Sequence, residues 1–372
     1  MNLKIVLTGG GTGGHAYPAL SIADAIRTGY PGCEILYIGG NGSIEEKLAR
    51  ASGIPFKGLT TRKMRKTLSI DSLLAMGALA AGFSAARKML YQFKPDLVIG
   101  TGGYASAAVV IAHAISGGKA LIHEQNVIPG RTNLCLSRFA SRICVTFDNS
   151  IRYFPAEKTV LTGLPIRSEF MDMPAKADAM KSLNLDPNKF TLLVYGGSQG
   201  AMKLNQVIKD SLPALRAMPL QIVHQTGERN FQSSEEISKS EGWADYHVYP
   251  YFDDTRFVFA STDLMLSRCG ASTIAEITAL GIPAILVPYP FAYANHQFFN
   301  GEFVAKNGGG ILIEESKLTS ELFIKTLERC ISDTTYLDGM RKASISLGKP
   351  HAAKQIAAIA ADIARCRKMQ CN

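Results

Sequence analysis

No two of the seven cysteines (Cys33, Cys135, Cys144, Cys269, Cys330, Cys366 and Cys371) form a Cys-x-x-Cys pair, and their number is odd. Neither a disulfide framework nor a structural zinc site is suggested, and reduced thiols in a cytoplasmic protein are the simple reading. A long apolar run is also missing. The best candidate, Ser72 to Ala86 between Asp71 and Arg87, is fifteen residues long, whereas a helix needs about 20 to span a bilayer. No transmembrane segment is therefore expected. The opening residues, MNLKIVLTGGG, enter a strand pattern at once and show no signal-peptide pattern. The latter part of the chain lacks any charge surplus. After Gly163, 22 Lys and Arg are balanced by 22 Asp and Glu, whereas up to it 18 face 9, so the whole formal +9 lies in the first part. That asymmetry suggests an anionic partner for one half only, or else an uneven surface without function. Nucleic acid is not expected as that partner, because no interleaved aromatic and basic motif occurs.

What is present is glycine at strand ends. The 372 residues, 47% hydrophobic with 34 glycines, suit two α/β domains. Both halves begin alike. Leu3–Thr8 (LKIVLT) runs into Gly9-Gly10-Gly11-Thr12-Gly13-Gly14-His15, and Phe190–Tyr195 (FTLLVY) runs into Gly196-Gly197-Ser198-Gln199-Gly200-Ala201. Apolar runs that end in glycine turns before a helical pattern are the mark of βα units in a parallel sheet. Further runs at Cys33–Ile38, Asp96–Ile99, Ala120–Ile122, Ile143–Thr146 and Val160–Leu161 extend the first half. Those at Gln221–Gln225, Asp263–Ser267 and Ala284–Val287 extend the second. The reading is α/β: two doubly wound, Rossmann-like domains facing a cleft, residues 1–164 and 165–350, followed by a helical segment at 351–369.

In such sheets ligands gather at the carboxyl ends of the strands, where glycine lets the backbone come close and helix N-termini offer N–H groups to anionic oxygen. Gly9, Gly11 and Gly14 satisfy G-x-G-x-x-G, so a dinucleotide-binding oxidoreductase has to be weighed. Its confirming acidic residue should close the second strand, yet Glu34–Ile38 ends in Gly39-Gly40-Asn41 with no carboxylate, which counts against NAD. His15, directly after the first loop, and Glu124, within His123-Glu124-Gln125-Asn126, are the candidates for acid–base work. Imidazole as a class titrates near neutrality, which puts His15 first and Glu124 second.

Five motifs in order carry a resemblance over nearly the whole chain: Gly9–Pro18 (GGGTGGHAYP), Thr101–Ser106 (TGGYAS), His123–Asn126 (HEQN), Gly196–Ala201 (GGSQGA) and Ser267–Pro290, with Asn295-His296-Gln297 after them. Together they resemble the MurG family, the bacterial UDP-N-acetylglucosamine transferases of peptidoglycan synthesis in glycosyltransferase family 28. The resemblance implies a two-domain GT-B fold whose C-terminal helix, 351–369 here, packs back on the first domain. It implies inverting transfer of N-acetylglucosamine from UDP-N-acetylglucosamine, a co-substrate, to the muramoyl sugar of undecaprenyl-pyrophosphoryl-N-acetylmuramoyl pentapeptide, converting lipid I to lipid II in cell-wall biogenesis. It implies no bound cofactor and no metal, in keeping with the lack of an Asp-x-Asp sequence here.

By the same resemblance, Gly11, Gly102, Gly103 and Tyr104 form acceptor loops, and Thr12, Gly13, Gly14 and Asn126 lie near the donor sugar. Ser198 and Arg167 match positions near the nucleotide pyrophosphate, and Phe252 one that contacts the uracil. Ala271, Ser272, Thr273, Ile274, Ala275 and Glu276 form the donor loop and helix start, with Glu276 accepting the ribose hydroxyls, and Gln297 is a further donor contact. The chain departs from the family pattern at Leu164, where asparagine is common, at Ser106-Ala107-Ala108, which lacks a proline, and at His296, a glutamine in some members. The implied partners are UDP-N-acetylglucosamine, lipid I and other cell-wall synthesis proteins. The implied location is the cytoplasmic face of the plasma membrane, bound peripherally. Apolar Leu73, Leu74, Met76, Leu79 and Phe83, flanked by Arg62, Lys63, Arg65, Lys66, Arg87 and Lys88, form a candidate membrane-docking segment or, alternatively, a core helix beside a solvated basic loop. Three rival readings stay open: another GT-B enzyme with a different acceptor, a UDP-sugar epimerase, and a binding module without turnover.

Overall fold

The computed structural model describes residues 3–60, 70–197 and 199–370, and gives the backbone alone at 70–80, 237, 240–241 and 367–370. Ser198, the basic residues 62–66 and the side chains of Leu73, Leu74, Met76 and Leu79 therefore lie outside what is described. The chain divides into two compact units, Met1–Ser168 with Lys349–Asn372, and Glu169–Gly348.

In the first unit the strands are β1 (Lys4–Thr8), β2 (Glu34–Gly40), β3 (Phe56–Leu59), β4 (Leu97–Gly100), β5 (Lys119–Glu124), β6 (Arg142–Val145) and β7 (Thr159–Leu161). They pair in parallel in the order β3-β2-β1-β4-β5-β6-β7. Helices α1 (Gly13–Gly29), α2 (Ile44–Ala51), α3 (Ile70–Phe93), α4 (Tyr104–Ile115) and α5 (Arg131–Leu136) alternate with them. Successive side chains of β1 point to opposite faces. Ile5 and Leu7 pack with Ile22, Ala23 and Ile26 of α1, and Val6 packs with Val109 and Val110 of α4. Covering both faces is why the central strands read as unbroken apolar runs.

The second unit holds β8 (Phe190–Tyr195), β9 (Leu220–Gln225), β10 (Tyr246–Tyr249), β11 (Leu264–Arg268), β12 (Ala284–Val287) and β13 (Gly310–Leu312), in the parallel order β10-β9-β8-β11-β12-β13. Its helices are α6 (Lys176–Ser182), α7 (Met202–Arg216), α8 (Glu228–Glu241), α9 (Thr255–Ala260), α10 (Ala271–Leu280), α11 (His296–Lys306), α12 (Ser320–Ser332) and α13 (Thr334–Leu347).

The last helix, α14 (Ala352–Gln370), belongs to the first unit. Ile356, Ala357, Ala360, Ala361 and Ala364 repeat at helical spacing and are buried in the same core as Ile22, Ala23 and Ile26 of α1. Alanine at four of these five positions leaves little between the two backbones, and the Arg365 guanidinium lies 5.4 Å from the centre of the Tyr30 ring. Among the described residues no helix is long and apolar enough to cross a membrane.

In both sheets the strand order reverses beside the first strand, between β1 and β4 and between β8 and β11. Ligand crevices form at such switch points. The loops there are the glycine loops.

Candidate functional site

In the first unit the loops after β1 and β4 lie directly on one another. Gly10 donates its N–H to the Gly102 carbonyl at 3.1 Å, and Thr101 Oγ1 donates to the His15 carbonyl at 2.8 Å. Gly103 has φ +87°, and a Cβ there would sit 2.2 Å from the Gly10 oxygen; one on Gly102 would press on the His15 ring at 2.9 Å. Only glycine permits this approach. Thr12 precedes α1 in extended conformation and its carbonyl accepts from His15 N and Ala16 N, each at 3.2 Å, but neither α1 nor α4, which Gly103 precedes, has a side-chain cap. Gly11, Thr12, Gly14 and Tyr104 are exposed, and Gly13 and His15 are half-buried.

Beneath the first loop lies a carboxylate absent from the expectation that no acid closes β2. Glu45, in the first turn of α2, is 2% exposed. Its oxygens accept from Gly40 N at 3.1 Å and Gly11 N at 3.2 Å. Being buried and bonded to loop amides, it cannot offer both oxygens to a cofactor ribose, so its presence does not revive the dinucleotide reading. The Tyr37 hydroxyl donates to the Gly9 carbonyl at 2.6 Å, and burial together with the Glu45 charge pushes its ionisation far up. The signal for Glu45 was Ser43-Ile44-Glu45-Glu46. Ser43 Oγ caps α2 by accepting from Glu46 N, which turns the intervening acid inward.

At the end of β5, four N–H donors converge on Glu124. Asn126 N (2.9 Å) and Nδ2 (3.3 Å) reach Oε1, while Gly130 N (3.1 Å) and Asn133 Nδ2 (2.8 Å) reach Oε2. Burial raises the carboxyl above the ordinary range, and these four bonds act against that rise. The two oxygens thus tie down the loop 126–130 and the first turn of α5. His15 Nδ1 stands 3.1 Å from Gln125 Oε1. Gln125 Nε2 in turn lies 2.9 Å from the Thr101 carbonyl and 3.1 Å from His123 Nδ1. Gln125, His123 and Asn133 received no individual role from the sequence. Arg167, half-buried, follows β7 in this unit.

The second unit repeats the design. Gln225 Nε2 donates to the Gly197 carbonyl at 3.0 Å, tying the loop after β8 to the end of β9, and Asn205 Nδ2 of α7 donates to the Thr226 carbonyl just after β9 at 3.0 Å. After β11, Gly270 precedes α10 with neither a side-chain cap nor an acid in the first turn, so the helix start is suited to an anion. Ala271, Ser272, Thr273 and Ala275 are half-buried, and Ile274 and Glu276 are buried. Phe252, 7% exposed, packs 4.8 Å from the Tyr249 ring. Gln297 Oε1 accepts from Tyr289 N at 3.0 Å, which leaves its Nε2 as the group to offer a ligand. These loops lie at the carboxyl ends of β8, β9, β10, β11 and β12.

Residues 5–145 match the glycosyltransferase family 28 N-terminal domain, and 191–356 match the glycosyltransferase family 28 C-terminal domain. A protein of Desulforudis audaxviator, the UDP-N-acetylglucosamine--N-acetylmuramyl-(pentapeptide) pyrophosphoryl-undecaprenol N-acetylglucosamine transferase, is 39% identical over 95% of this chain and 96% of its own. The protein of that name from Bacillus subtilis is 35% identical over 95% and 98%. The crystal structure of Acinetobacter baumannii MurG superposes with a TM-score of 0.80 at 27% identity, covering 97% of this chain and all of that one. With two parallel-sheet, Rossmann-like units the fold is GT-B. The chain belongs to glycosyltransferase family 28, as a member of its MurG family.

Proposed function

We propose that this chain transfers N-acetylglucosamine from UDP-N-acetylglucosamine to the muramoyl sugar of undecaprenyl-pyrophosphoryl-N-acetylmuramoyl pentapeptide, turning lipid I into lipid II with inversion at the anomeric carbon. The observation that carries this reading is identity of 39% along nearly the full length of a relative bearing that activity as its name. His15 is the base. Its ring accepts the proton of the acceptor 4-hydroxyl as that oxygen attacks the anomeric carbon, and the bond from that carbon to the UDP β-phosphate oxygen breaks. The departing diphosphate gains charge, which the N–H groups at the start of α10 and the Gly196–Ala201 loop stabilise together with Ser198 and Arg167. Glu276 holds the ribose hydroxyls, Phe252 lies against the uracil, and Gln297, Asn126 and Thr12–Gly14 hold the sugar. Glu124 acts as the anchor of the loop 126–130 and the start of α5 rather than as the base. A proton on it would displace one of its four N–H donors.

The lipid acceptor implies a membrane surface, and the first unit docks on it peripherally at the cytoplasmic leaflet. Supporting this, a cavity of about 990 Å³ between the ends of α3 and α4 is lined by Phe83, Arg87, Lys88, Tyr91, Lys94 and Ile115 among others. Tyr91 is 79% and Ile115 66% exposed. Exposed apolar side chains within a basic rim suit an anionic interface. The experiment is incubation with radiolabelled UDP-N-acetylglucosamine and a lipid I analogue, with the product and the remaining donor identified by mass and their sugar configuration by NMR. One added N-acetylhexosamine in β-linkage supports the reading. Epimerised donor, or label that never leaves UDP, overturns it.

A further inference from the structure

The hydrogen bonds behind His15 form a directed chain, and its direction follows from groups that can act in one sense only. Gln125 Nε2 faces two backbone carbonyls, those of Thr101 and His123, each at 2.9 Å. A carbonyl only accepts, so the nitrogen of the Gln125 amide must point there and its oxygen toward His15. That oxygen, Oε1, lies 3.1 Å from His15 Nδ1. It also only accepts, so Nδ1 carries the proton.

At the other end, His123 is wholly buried, and its Nε2 lies 3.0 Å from the Gly163 carbonyl. Nε2 therefore carries the His123 proton. Nδ1 keeps the lone pair and faces Gln125 Nε2 at 3.1 Å, so the two amide protons are shared among three acceptors, this nitrogen and the Thr101 and His123 carbonyls. Burial lowers the His123 pKa to about 4, so the ring is neutral near pH 7 and keeps this single arrangement. A proton on Nδ1 would meet the Gln125 amide protons head-on.

We infer that His123 and Gln125 are positioning residues, a relay from the Gly163 carbonyl that holds His15 in the tautomer with its proton on Nδ1 and its basic lone pair on Nε2. The inference deepens the assignment of His15 as base and rests on it for its effect on turnover. The geometry also says why a glutamine rather than a carboxylate stands behind the base. Glutamine both accepts from His15 and donates to two carbonyls, which an ionised glutamate cannot do.

The test has two arms. With histidines labelled by nitrogen-15, the protein at neutral pH should show His15 protonated at Nδ1 and His123 at Nε2. His15→Ala and His123→Gln identify the signals, and Nε2 protonation of His15 overturns the relay. In the second arm, Gln125→Met keeps the side-chain volume but removes the acceptor. The His15 tautomers should then mix, and turnover should fall at least about tenfold, within the ~10²–10⁴ that a general base supplies. The KM for UDP-N-acetylglucosamine should stay within about twofold, the outcome expected for an interaction that matters only in the chemical step. Unchanged turnover in Gln125→Met with full loss in His15→Ala overturns the positioning role. Unchanged turnover in both removes the base assignment instead. If Gln125→Met does not fold, the tautomers of the unsubstituted protein still decide the geometry.

Discussion

Gly11 gives its amide proton to the carboxylate of Glu45, thirty-four positions along the chain, at 3.2 Å. The same carboxylate takes the Gly40 amide at 3.1 Å. A negative group already occupies this side of the first glycine loop, so the loop is poorly suited to receive a diphosphate there. The start of α10 in the second unit has no acid in its first turn, and an anion meets no such competitor.

Glu45→Gln should therefore cost stability without touching nucleotide affinity. Glutamine has one oxygen for two amides, so one buried N–H loses its acceptor, at about 1–3 kcal/mol. The unfolding midpoint of the first unit should fall by roughly 3–10 °C. Titration with UDP should give an unchanged dissociation constant. A weakened UDP complex at unchanged stability would mean that Glu45 faces the nucleotide.

Glu276→Ala should do the reverse. The residue is 7% exposed in α10, one turn into a helix whose start lacks a cap. If its carboxylate accepts the ribose hydroxyls, the loss is about 1.5–3 kcal/mol, a roughly ten- to hundredfold weaker UDP complex by calorimetry. An affinity within twofold of the unsubstituted protein would remove Glu276 from the donor site.

Much of this was legible in the sequence, and the gaps share a physical cause. The central strands β1, β4, β5, β8, β11 and β12 are buried along most of their length and show as unbroken apolar runs. The missed strands β3, β10 and β13 all lie at sheet edges, and their residues are mostly half-buried. With a partner on one side only, such strands need no continuous apolar run. Glycine loops were legible because close backbone approach has few other solutions. The role of Glu45 at the first glycine loop was not, since the Gly11 amide that it holds lies thirty-four positions away in the chain. The relay through Gln125 was equally hidden: the string HEQN names the residues, but only the Thr101 and Gly163 carbonyls give them direction.

Membrane docking should depend on charge. Replacing Arg87 and Lys88 with alanine removes about 2 kcal/mol of attraction to an anionic surface, roughly a thirtyfold loss in co-sedimentation with phosphatidylglycerol vesicles. Binding should also fall with salt. Equal binding of the unsubstituted protein to neutral vesicles, or none to either kind, would place the docking surface elsewhere or nowhere.

Acid should destabilise the second unit through His224. That ring is buried between Asn205 Oδ1 and the Tyr246 hydroxyl, at 3.0 and 2.9 Å, and burial lowers its pKa to about 3. The unfolded chain protonates its histidines near 6.5, so below that pH it binds the proton the folded state refuses. Stability is full above about 6.5 and falls toward 3, by about 1.4 kcal/mol per pH unit for one proton. Glu124, whose folded pKa is raised, acts in the opposite sense in the other unit, so a difference measurement is needed. Urea midpoints of His224→Gln between pH 6.5 and 4.5 should fall less steeply than those of the unsubstituted protein, by about one proton's slope. Parallel curves would show that His224 does not govern the acid limb.

The sharpest test of the site separates His15 from Glu124. His15 is half-buried at the start of α1, with Gln125 behind its Nδ1. Glu124 is 1% exposed, and four N–H groups occupy its oxygens. A base must reach the acceptor hydroxyl and must have a lone pair to give. For the imidazole that is a matter of tautomer, whereas the carboxylate would first have to release a loop amide. His15→Ala should lower turnover by about 10²–10⁴ with UDP affinity and unfolding midpoint nearly constant. Glu124→Gln should lower the midpoint, because Nε2 would face N–H donors that expect an oxygen, at about 1–3 kcal/mol. Any loss of turnover in Glu124→Gln should follow the fraction unfolded and recover at lower temperature. The assignment reverses if His15→Ala keeps more than about a tenth of its turnover while folded Glu124→Gln loses it. In that case the carboxylate takes the proton, and the loop 126–130 or the start of α5 must release it to do so.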